Sequence, residues 1–293
     1  MRELLLQATK YLEDNNIPTA KTDAEILLSN LIGDERINLY LNDKIPLTKN
    51  KLERYWKLLK RRASYKPIAY ILCKKEFMNW EFMVNENVLI PRPETEILVE
   101  EIINIGKKLK SPPLIVDIGT GSGVIAISLA LSLNAVVYAL DISSSALKIA
   151  RTNAHRLKVK DKITFLKGDL LNSLKKFNLD QKVDFIISNP PYVSTSELKS
   201  LPMDVRFEPE IALDGGKDGI NFYDKIINDS LNYLKEGGCL GLEVGYDQAE
   251  IISDKIRQTE KFSEIKTVKD YAQIKRVILA VKKNTPSATD GHR

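Results

Sequence analysis

Leu114-Ile115-Val116-Asp117-Ile118-Gly119-Thr120-Gly121-Ser122-Gly123-Val124 reads as a strand, a glycine-rich turn and the first residue of a helix. The apolar run is short and unbroken, as in a parallel strand covered on both faces. The helix that follows, Val124 to Leu133, is apolar nearly all round and therefore buried. Outward from it the alternation repeats. Strands are expected at Ala135–Leu140, Ile163–Leu166, Val183–Ser188, Cys239–Val244, Ile265–Val268 and Val277–Val281, and helices at Ser144–Leu157, Gly219–Leu234 and Asp247–Arg257. Seven strands alternating with helices predict an α/β fold with a doubly wound, mostly parallel sheet. Only a short turn separates the last two strands, so the sheet should end antiparallel.

The glycine-rich turn alone is weak evidence of a ligand. Its spacing is G-x-G-x-G, not the dinucleotide G-x-G-x-x-G, and no Gly-Lys-Ser/Thr follows for a phosphate loop. Two further strand ends sharpen it. Asp141 closes the second strand about twenty residues on, placed to accept both hydroxyls of a ribose. Asp169-Leu170 closes the third, placed to meet an adenine amine and pack on its ring. Either aspartate could instead cap a helix, but three such features on successive strands point to an adenosyl cofactor.

The fourth strand ends in Asn189-Pro190-Pro191-Tyr192. Pro190 drives Asn189 towards extended backbone, and neither proline offers an N–H. The corner therefore presents acceptors, the Asn189 side-chain oxygen and the Asn189 and Pro190 carbonyls, beside the flat wall of Tyr192. Such a pocket suits a planar group carrying an NH2. With S-adenosylmethionine as donor and S-adenosylhomocysteine as product, it would orient an amide or aromatic nitrogen for in-line methyl transfer. Positioning and electrostatics suffice there, without a strong base. The residues singled out for the cofactor are those of the Gly119–Gly123 turn with Asp141, Asp169 and Leu170. Asn189, Pro190, Pro191 and Tyr192 would hold the substrate, with Asn189, Pro190 and Tyr192 as the catalytic group. No metal is expected.

Bulk properties agree with an ordinary globular enzyme: 293 residues, 43% hydrophobic and 28% charged. Cys73 and Cys239 lack pair or metal-ligand spacing and read as buried thiols in a reducing, cytoplasmic protein. The N-terminus is too polar for a signal peptide, and no apolar run reaches membrane-spanning length. Residues 1–75 read as helices: Leu5, Ala8 and Leu12 share one stripe, as do Ile26, Leu27, Asn30 and Leu31 on a helix starting at Thr22 or Asp23, and Leu52, Tyr55, Trp56 and Leu59 on a third from about Thr48. Between Lys49 and Lys75 stand ten basic residues and one acidic residue, either a solvated face or a surface for an acidic partner. Residues 76–90 read as a linking β-hairpin turning near Met78-Asn79. The catalytic domain spans 91–283, and 284–293, with His292, reads as a flexible tail. His155 is expected on an exposed helix face. The aperiodic segment Val193–Lys217 exceeds usual loop lengths and reads as a lid.

The chain resembles the protein N5-glutamine methyltransferases that modify peptide chain release factors. The glycine turn and Asn-Pro-Pro-Tyr are shared with DNA adenine methyltransferases. More specific are Leu89-Ile90-Pro91-Arg92-Pro93-Glu94-Thr95-Glu96, the stretch Glu208-Pro209-Glu210-Ile211-Ala212-Leu213-Asp214-Gly215-Gly216-Lys217-Asp218-Gly219, and Leu242-Glu243-Val244-Gly245 with Gln248. Asp23-Ala24-Glu25-Ile26-Leu27-Leu28 also matches. The resemblance covers about residues 1–283. It implies a Rossmann-like class I methyltransferase whose helical N-terminal domain docks the substrate. The substrate would be the glutamine of the Gly-Gly-Gln motif in a bacterial-type release factor, methylated by a monomer that needs no membrane and no direct nucleic acid. Carried over by position, the resemblance implies that Gly119, Thr120, Gly121, Ser122, Gly123, Asp141, Leu170 and Asn189 contact the cofactor and that Asn189, Pro190, Pro191 and Tyr192 hold the glutamine, while Arg92 and Glu94 lie in a motif lining the site, without individual roles. Leu170 stands where an aromatic residue is frequent, and Cys73 and Gln273 where glycine is usual. The competing readings are a nucleic-acid adenine or guanine N-methyltransferase and a non-catalytic cofactor-binding protein.

Overall fold

The structure is a computed structural model and describes residues 1–41 and 47–284. His292 and all of the expected tail except Asn284 lie outside the described residues. Two compact units divide the chain: Met1–Lys74 with Val84–Glu86 and Leu201–Glu208, and Lys75–Met83 with Asn87–Ser200 and the chain from Pro209 onward.

The first unit is helical: α1 (Arg2–Asp14), α2 (Ala20–Ile32), α3 (Asn38–Leu41), α4 (Lys49–Ala63) and α5 (Ile68–Leu72). Its core holds the expected Leu5, Ala8 and Leu12 with Leu27, Leu28, Tyr55 and Leu59. Thr48 caps α4 by accepting from the Lys51 N–H. The second helix departs from expectation. It begins at Ala20, leaves Asn30 exposed, and buries Asp23 and Glu25 on the face bearing Leu27 and Leu28.

The reason lies in partners supplied from elsewhere in the unit. Arg62 Nε donates to Asp23 Oδ2 at 2.6 Å, with both side chains buried. Arg36 and Tyr40 both donate to the carboxylate of Glu25. Arg62 also lies 3.8 Å from Asp204, in the distant Leu201–Glu208 segment. Arg62 therefore leaves the basic surface stretch and acts as an internal strut. Part of the segment expected as a lid, Leu201–Glu208, belongs to this helical unit. Cys73 corrects a second expectation: it is exposed, not buried, with φ of 57° after α5. That left-handed turn explains why glycine suits the position.

The second unit opens with a hairpin. β1 (Lys74–Phe77) and β2 (Trp80–Met83) flank Met78 and Asn79, both at positive φ, as a tight two-residue turn requires. Glu96 accepts from the Met78 N–H at 2.7 Å. Then come α6 (Pro93–Gly106), β3 (Leu114–Ile118), α7 (Val124–Leu133), β4 (Val136–Asp141), α8 (Ser144–Arg156), β5 (Ile163–Lys167) and β6 (Val183–Ser188). They are followed by α9 (Tyr223–Tyr233), β7 (Leu234–Glu243), α10 (Ala249–Gln258), β8 (Phe262–Lys269) and β9 (Lys275–Lys282). The seven-stranded sheet runs in the order β5-β4-β3-β6-β7-β9-β8. It is parallel from β5 to β7, while β9 is antiparallel to both β7 and β8. Two apolar layers cover its faces, one with α6, α7 and α8, the other with α9 and α10. His155 is exposed on α8 as expected.

The boundaries that differ have local causes. No helix starts at Gly219, because Asn221 N–H donates to Gly215 O and holds residues 219–222 in a turn. Leu234 already belongs to β7, which begins five residues before the apolar run at Cys239 and passes through Gly237-Gly238, where its register against β6 shifts. Such bulges carry no hydrophobic signal.

Removing the Arg62 guanidinium leaves buried Asp23 without its partner. Arg62→Ala is expected to cost the helical unit about 3–5 kcal/mol, read by urea denaturation. Lys57→Ala on the exposed side of α4 should change stability by no more than about 0.5 kcal/mol.

Candidate active site

At the carboxyl edge of the sheet the strand ends surround a cavity of about 310 Å³. Parallel register places them: Ile118 sits opposite Leu140 of β4 and Ser188 of β6, so Gly119, Asp141 and Asn189 emerge side by side. Of the expected residues, Gly119, Gly121, Asp141, Asp169, Leu170, Asn189, Pro190 and Pro191 line the cavity. Thr120, Ser122, Gly123 and Tyr192 do not. They stand behind its wall.

Those four make contacts within the protein. The Thr120 hydroxyl donates to Asp117 Oδ2 at 2.7 Å, and that oxygen also accepts from the Ala126 N–H. Asp117 is fully buried, its other carboxyl oxygen has no partner, and burial pushes its pKa up to about 7. The Ser122 carbonyl accepts from Asn153 Nδ2. Asn153, a buried α8 residue with no distinct sequence signal, also exchanges hydrogen bonds with both backbone groups of Met83. One side chain thereby ties the β2 edge to the glycine turn. Tyr192 packs its ring against the core, which raises its phenol pKa by desolvation.

Most N–H groups of the Gly119–Gly123 turn are committed to acceptors within the protein. Gly119 and Thr120 N–H groups both donate to Leu140 O, Gly123 N–H to Thr120 O, and Gly121 N–H to Asp141 Oδ2 at 2.8 Å. These four N–H groups are thus engaged within the protein. Gly119 and Gly121 have φ of 72° and 55°, and a Cβ on either would meet no atom closer than 3.9 Å. They leave open space beside the cavity. Two carboxylates, Asp141 and Asp169, contribute negative charge, and Lys225 pairs with Asp169 at 2.6 Å. Asp141 accepts from Gly121 and Ser143 N–H groups, one on each oxygen, yet burial still raises its pKa. It is not the cap of α8: Ser143 fills that place, accepting from Ala146 N–H.

Apolar lining that the strand-end reading missed comes from Ile142, Ile211, Ala212 and Phe222, with Val88 and Leu89 ahead of α6. Ile142 and Ile211 are more than half exposed and present apolar surface at the cavity. Ile211 and Ala212 fall inside the Glu208–Gly219 stretch, so that motif was their signal. Nothing in the sequence marked Ile142 or Phe222.

The Asn-Pro-Pro-Tyr corner is held from outside by two of the quoted motifs. Gln248 Nε2 donates to Tyr192 O at 2.9 Å and Gly219 O at 3.1 Å, while its Oε1 accepts from Gly245 N–H. A Cβ at Gly219 would lie 2.5 Å from Tyr192 O, and one at Gly215 would lie 2.8 Å from Pro191 O. Gly215 N–H donates to Val193 O at 2.7 Å, and Val193 N–H donates to Leu213 O at 3.0 Å. The glycines of 215–219 are required because that strand of chain lies directly on the corner. Asn189 itself is fixed by Thr95, whose hydroxyl accepts from Asn189 Nδ2 at 3.1 Å.

A doubly wound sheet with this acceptor corner and a carboxylate-lined cavity defines a class I methyltransferase. Residues 3–72 match the PrmC N-terminal domain family and residues 110–284 a methyltransferase domain family. The release factor glutamine methyltransferase of Clostridium acetobutylicum is 38% identical over 284 residues, covering 96% of this chain and 98% of that protein. That of Rhodopirellula baltica is 40% identical, covering 94% of each. The chain belongs to the release factor glutamine methyltransferase family. Among solved structures, a methyltransferase from Pyrococcus furiosus superposes with a TM-score of 0.53 at 19% identity, over 79% of this chain and 99% of that one. The N-terminal domain of human METTL16 in complex with SAH gives 0.54 at 19% identity, over 77% and 84%. Both share the fold. Among the described residues no helix is long and apolar enough to cross a membrane, and no His, Cys, Asp or Glu group could hold a metal ion.

Gln248→Leu deletes three hydrogen bonds and leaves buried backbone groups unpaired, at about 1–3 kcal/mol for each group stranded. The variant should melt earlier than the parent and lose methyl transfer more steeply than stability, as read by thermal denaturation alongside a turnover assay.

Proposed function

We propose that this chain methylates the side-chain amide nitrogen, N5, of the glutamine in the Gly-Gly-Gln motif of a peptide chain release factor, using S-adenosylmethionine. The carrying observation is Asn189: its Nδ2 is held by Thr95 while it lines a cavity shared with Asp141. The amide therefore turns its oxygen, an acceptor, to the substrate. When bound, S-adenosylmethionine supplies an electrophilic methyl group on a sulfonium.

The residues present suit that group. Its positive charge favours the Asp141 and Asp169 carboxylates, and the absence of phosphates suits a turn with few free N–H groups. Asp141 retains lone pairs on both oxygens for a ribose diol. Ile142 and Leu170 offer apolar faces to the adenine. The family resemblance adds Gly119 to Gly123 as the cofactor turn, with Thr120, Ser122 and Gly123 supporting it from behind the wall.

For the substrate, Asn189 Oδ1 and the Pro190 carbonyl accept the two N–H bonds of the glutamine amide, with Pro191 and Tyr192 stiffening the corner. Accepting both bonds orients the nitrogen and favours a less planar, more nucleophilic geometry. The helical unit, with the basic residues of α4, docks the release factor. A nucleic-acid base as methyl acceptor is the reading not favoured, given the full-length match to glutamine methyltransferases.

Incubation with S-adenosylmethionine should add one methyl to a release factor, mapped by mass spectrometry to the Gly-Gly-Gln glutamine. Methylation of DNA or RNA with no label on the factor would overturn the proposal. Asn189→Ala should lose about 10²-fold or more in turnover while calorimetry shows S-adenosylhomocysteine affinity changed by less than about 5-fold, roughly 1 kcal/mol. Asp141→Ala should do the reverse, weakening S-adenosylhomocysteine by about 10- to 100-fold through two lost charged hydrogen bonds.

A further inference from the structure

Behind the acceptor corner lies a buried carboxyl that the proposed reaction does not use. Glu243, the last residue of β7, is 1% exposed, and its Oε2 has no hydrogen-bond partner. Its other interactions converge on Thr95, whose hydroxyl hydrogen-bonds the Glu243 side chain, and on the charges of Glu94, Arg276 and Arg92. Tyr192 faces the same carboxyl, and Arg276 is itself paired to Asp270 at 3.2 Å. Thr95 is 3% exposed. A glutamate is seldom buried so fully without a matched cation.

The hydrogen-bond inventory gives this arrangement a direction. A threonine hydroxyl has one proton and two lone pairs, and an ionised carboxylate only accepts. With Glu243 ionised, the Thr95 proton goes to Glu243, so towards Asn189 Thr95 can only accept. Asn189 must then present Nδ2 to Thr95, as the 3.1 Å bond shows. Its Oδ1 remains free for the cavity. A neutral side chain at 243 can donate to Thr95 instead, which frees the hydroxyl proton to meet Asn189 Oδ1. The amide could then flip, presenting an NH2 to a substrate NH2.

We propose that Glu243, acting through Thr95, is a positioning residue that locks the Asn189 side-chain amide with its oxygen towards the substrate. The lock rests on the glutamine-methyltransferase reading above, and it sets turnover rather than cofactor or release-factor affinity. Burial raises the Glu243 pKa to about 7, with the Thr95 bond opposing that rise. The lock is therefore about half set near pH 7, approaches completion as pH rises above that value and relaxes as pH falls below it.

The test compares wild type with Thr95→Val, Thr95→Ser and Glu243→Gln, all nearly isosteric. Turnover is measured on a full-length release factor, S-adenosylhomocysteine affinity by calorimetry, and the Asn189 side-chain NH2 by nitrogen-15 NMR, its signals assigned by their loss in Asn189→Ala. Thr95→Val should lower kcat tenfold or more with KM and cofactor affinity within threefold of wild type. Thr95→Ser should restore kcat to within threefold. Glu243→Gln should lower kcat and flatten the wild-type decline below pH 7. The Asn189 NH2 protons should exchange slowly in wild type and Thr95→Ser but rapidly in Thr95→Val. Unchanged kcat in both Thr95→Val and Glu243→Gln, or unchanged NH2 exchange in Thr95→Val, would overturn the lock. A wild-type protein that leaves the release factor unmethylated would instead overturn the reaction, while the NMR comparison still decides the lock.

Discussion

Parallel pairing of β3 with β4 on one side and β6 on the other is the constraint on which the site depends. The register brings Ile118, Leu140 and Ser188 level, so the next residues of three strands leave the sheet together. Parallel strands need crossovers, and the crossovers here are helices that bury both faces of the sheet. Chemistry is thus confined to the carboxyl edge, where loops are free to vary. Ser188 strengthens the seam by donating to Ile118 O at 2.9 Å, beside the turn and the acceptor corner.

Around that edge the protein isolates two kinds of polar group. Asp117 and Glu243 are buried carboxyls near the turn and the corner, each with a pKa raised to about 7 and one oxygen unpartnered. Neither lines the cavity. They act on the backbone or on neighbouring side chains, Asp117 by holding Thr120 and Ala126, Glu243 through Thr95. Carboxylates that do line the cavity, Asp141 and Asp169, keep partners and lone pairs. Division of this kind lets a site hold a cationic ligand without placing a strong base beside the acceptor nitrogen. It fits a reaction driven by orientation.

Order along the chain is also informative. Contacts to the Asn189–Tyr192 corner come from Thr95, Gly215 and Gly219, and Gln248. Each belongs to a separate stretch that the family resemblance had singled out without a mechanism. The geometry supplies one: the stretches are braces for a single corner, and their glycines mark where backbone lies against backbone.

The strands β3 and β6, the buried α7, the hairpin turn at Met78-Asn79 and the antiparallel sheet end were legible from residue pattern alone, because each rests on local periodicity or turn chemistry. So were the strand-end residues Asp141 and Asn189, since their position follows from where an apolar run stops. The start of α2, the exposed Cys73, the late start of α9 and the inward Arg62 were not. The inward Arg62 depends on Asp23, a partner remote in sequence, and the late start of α9 on a backbone bond from Asn221 to Gly215. The same holds within the site, where Thr120 and Tyr192 turn away from the cavity while Ile142 and Phe222 turn into it. Periodicity reports how much of a residue is buried, and only the tertiary structure decides what it is buried against. For this protein the sequence by itself determined the sheet, the acceptor corner and the family. The folded chain decided which side chains meet the ligand and which merely hold those that do.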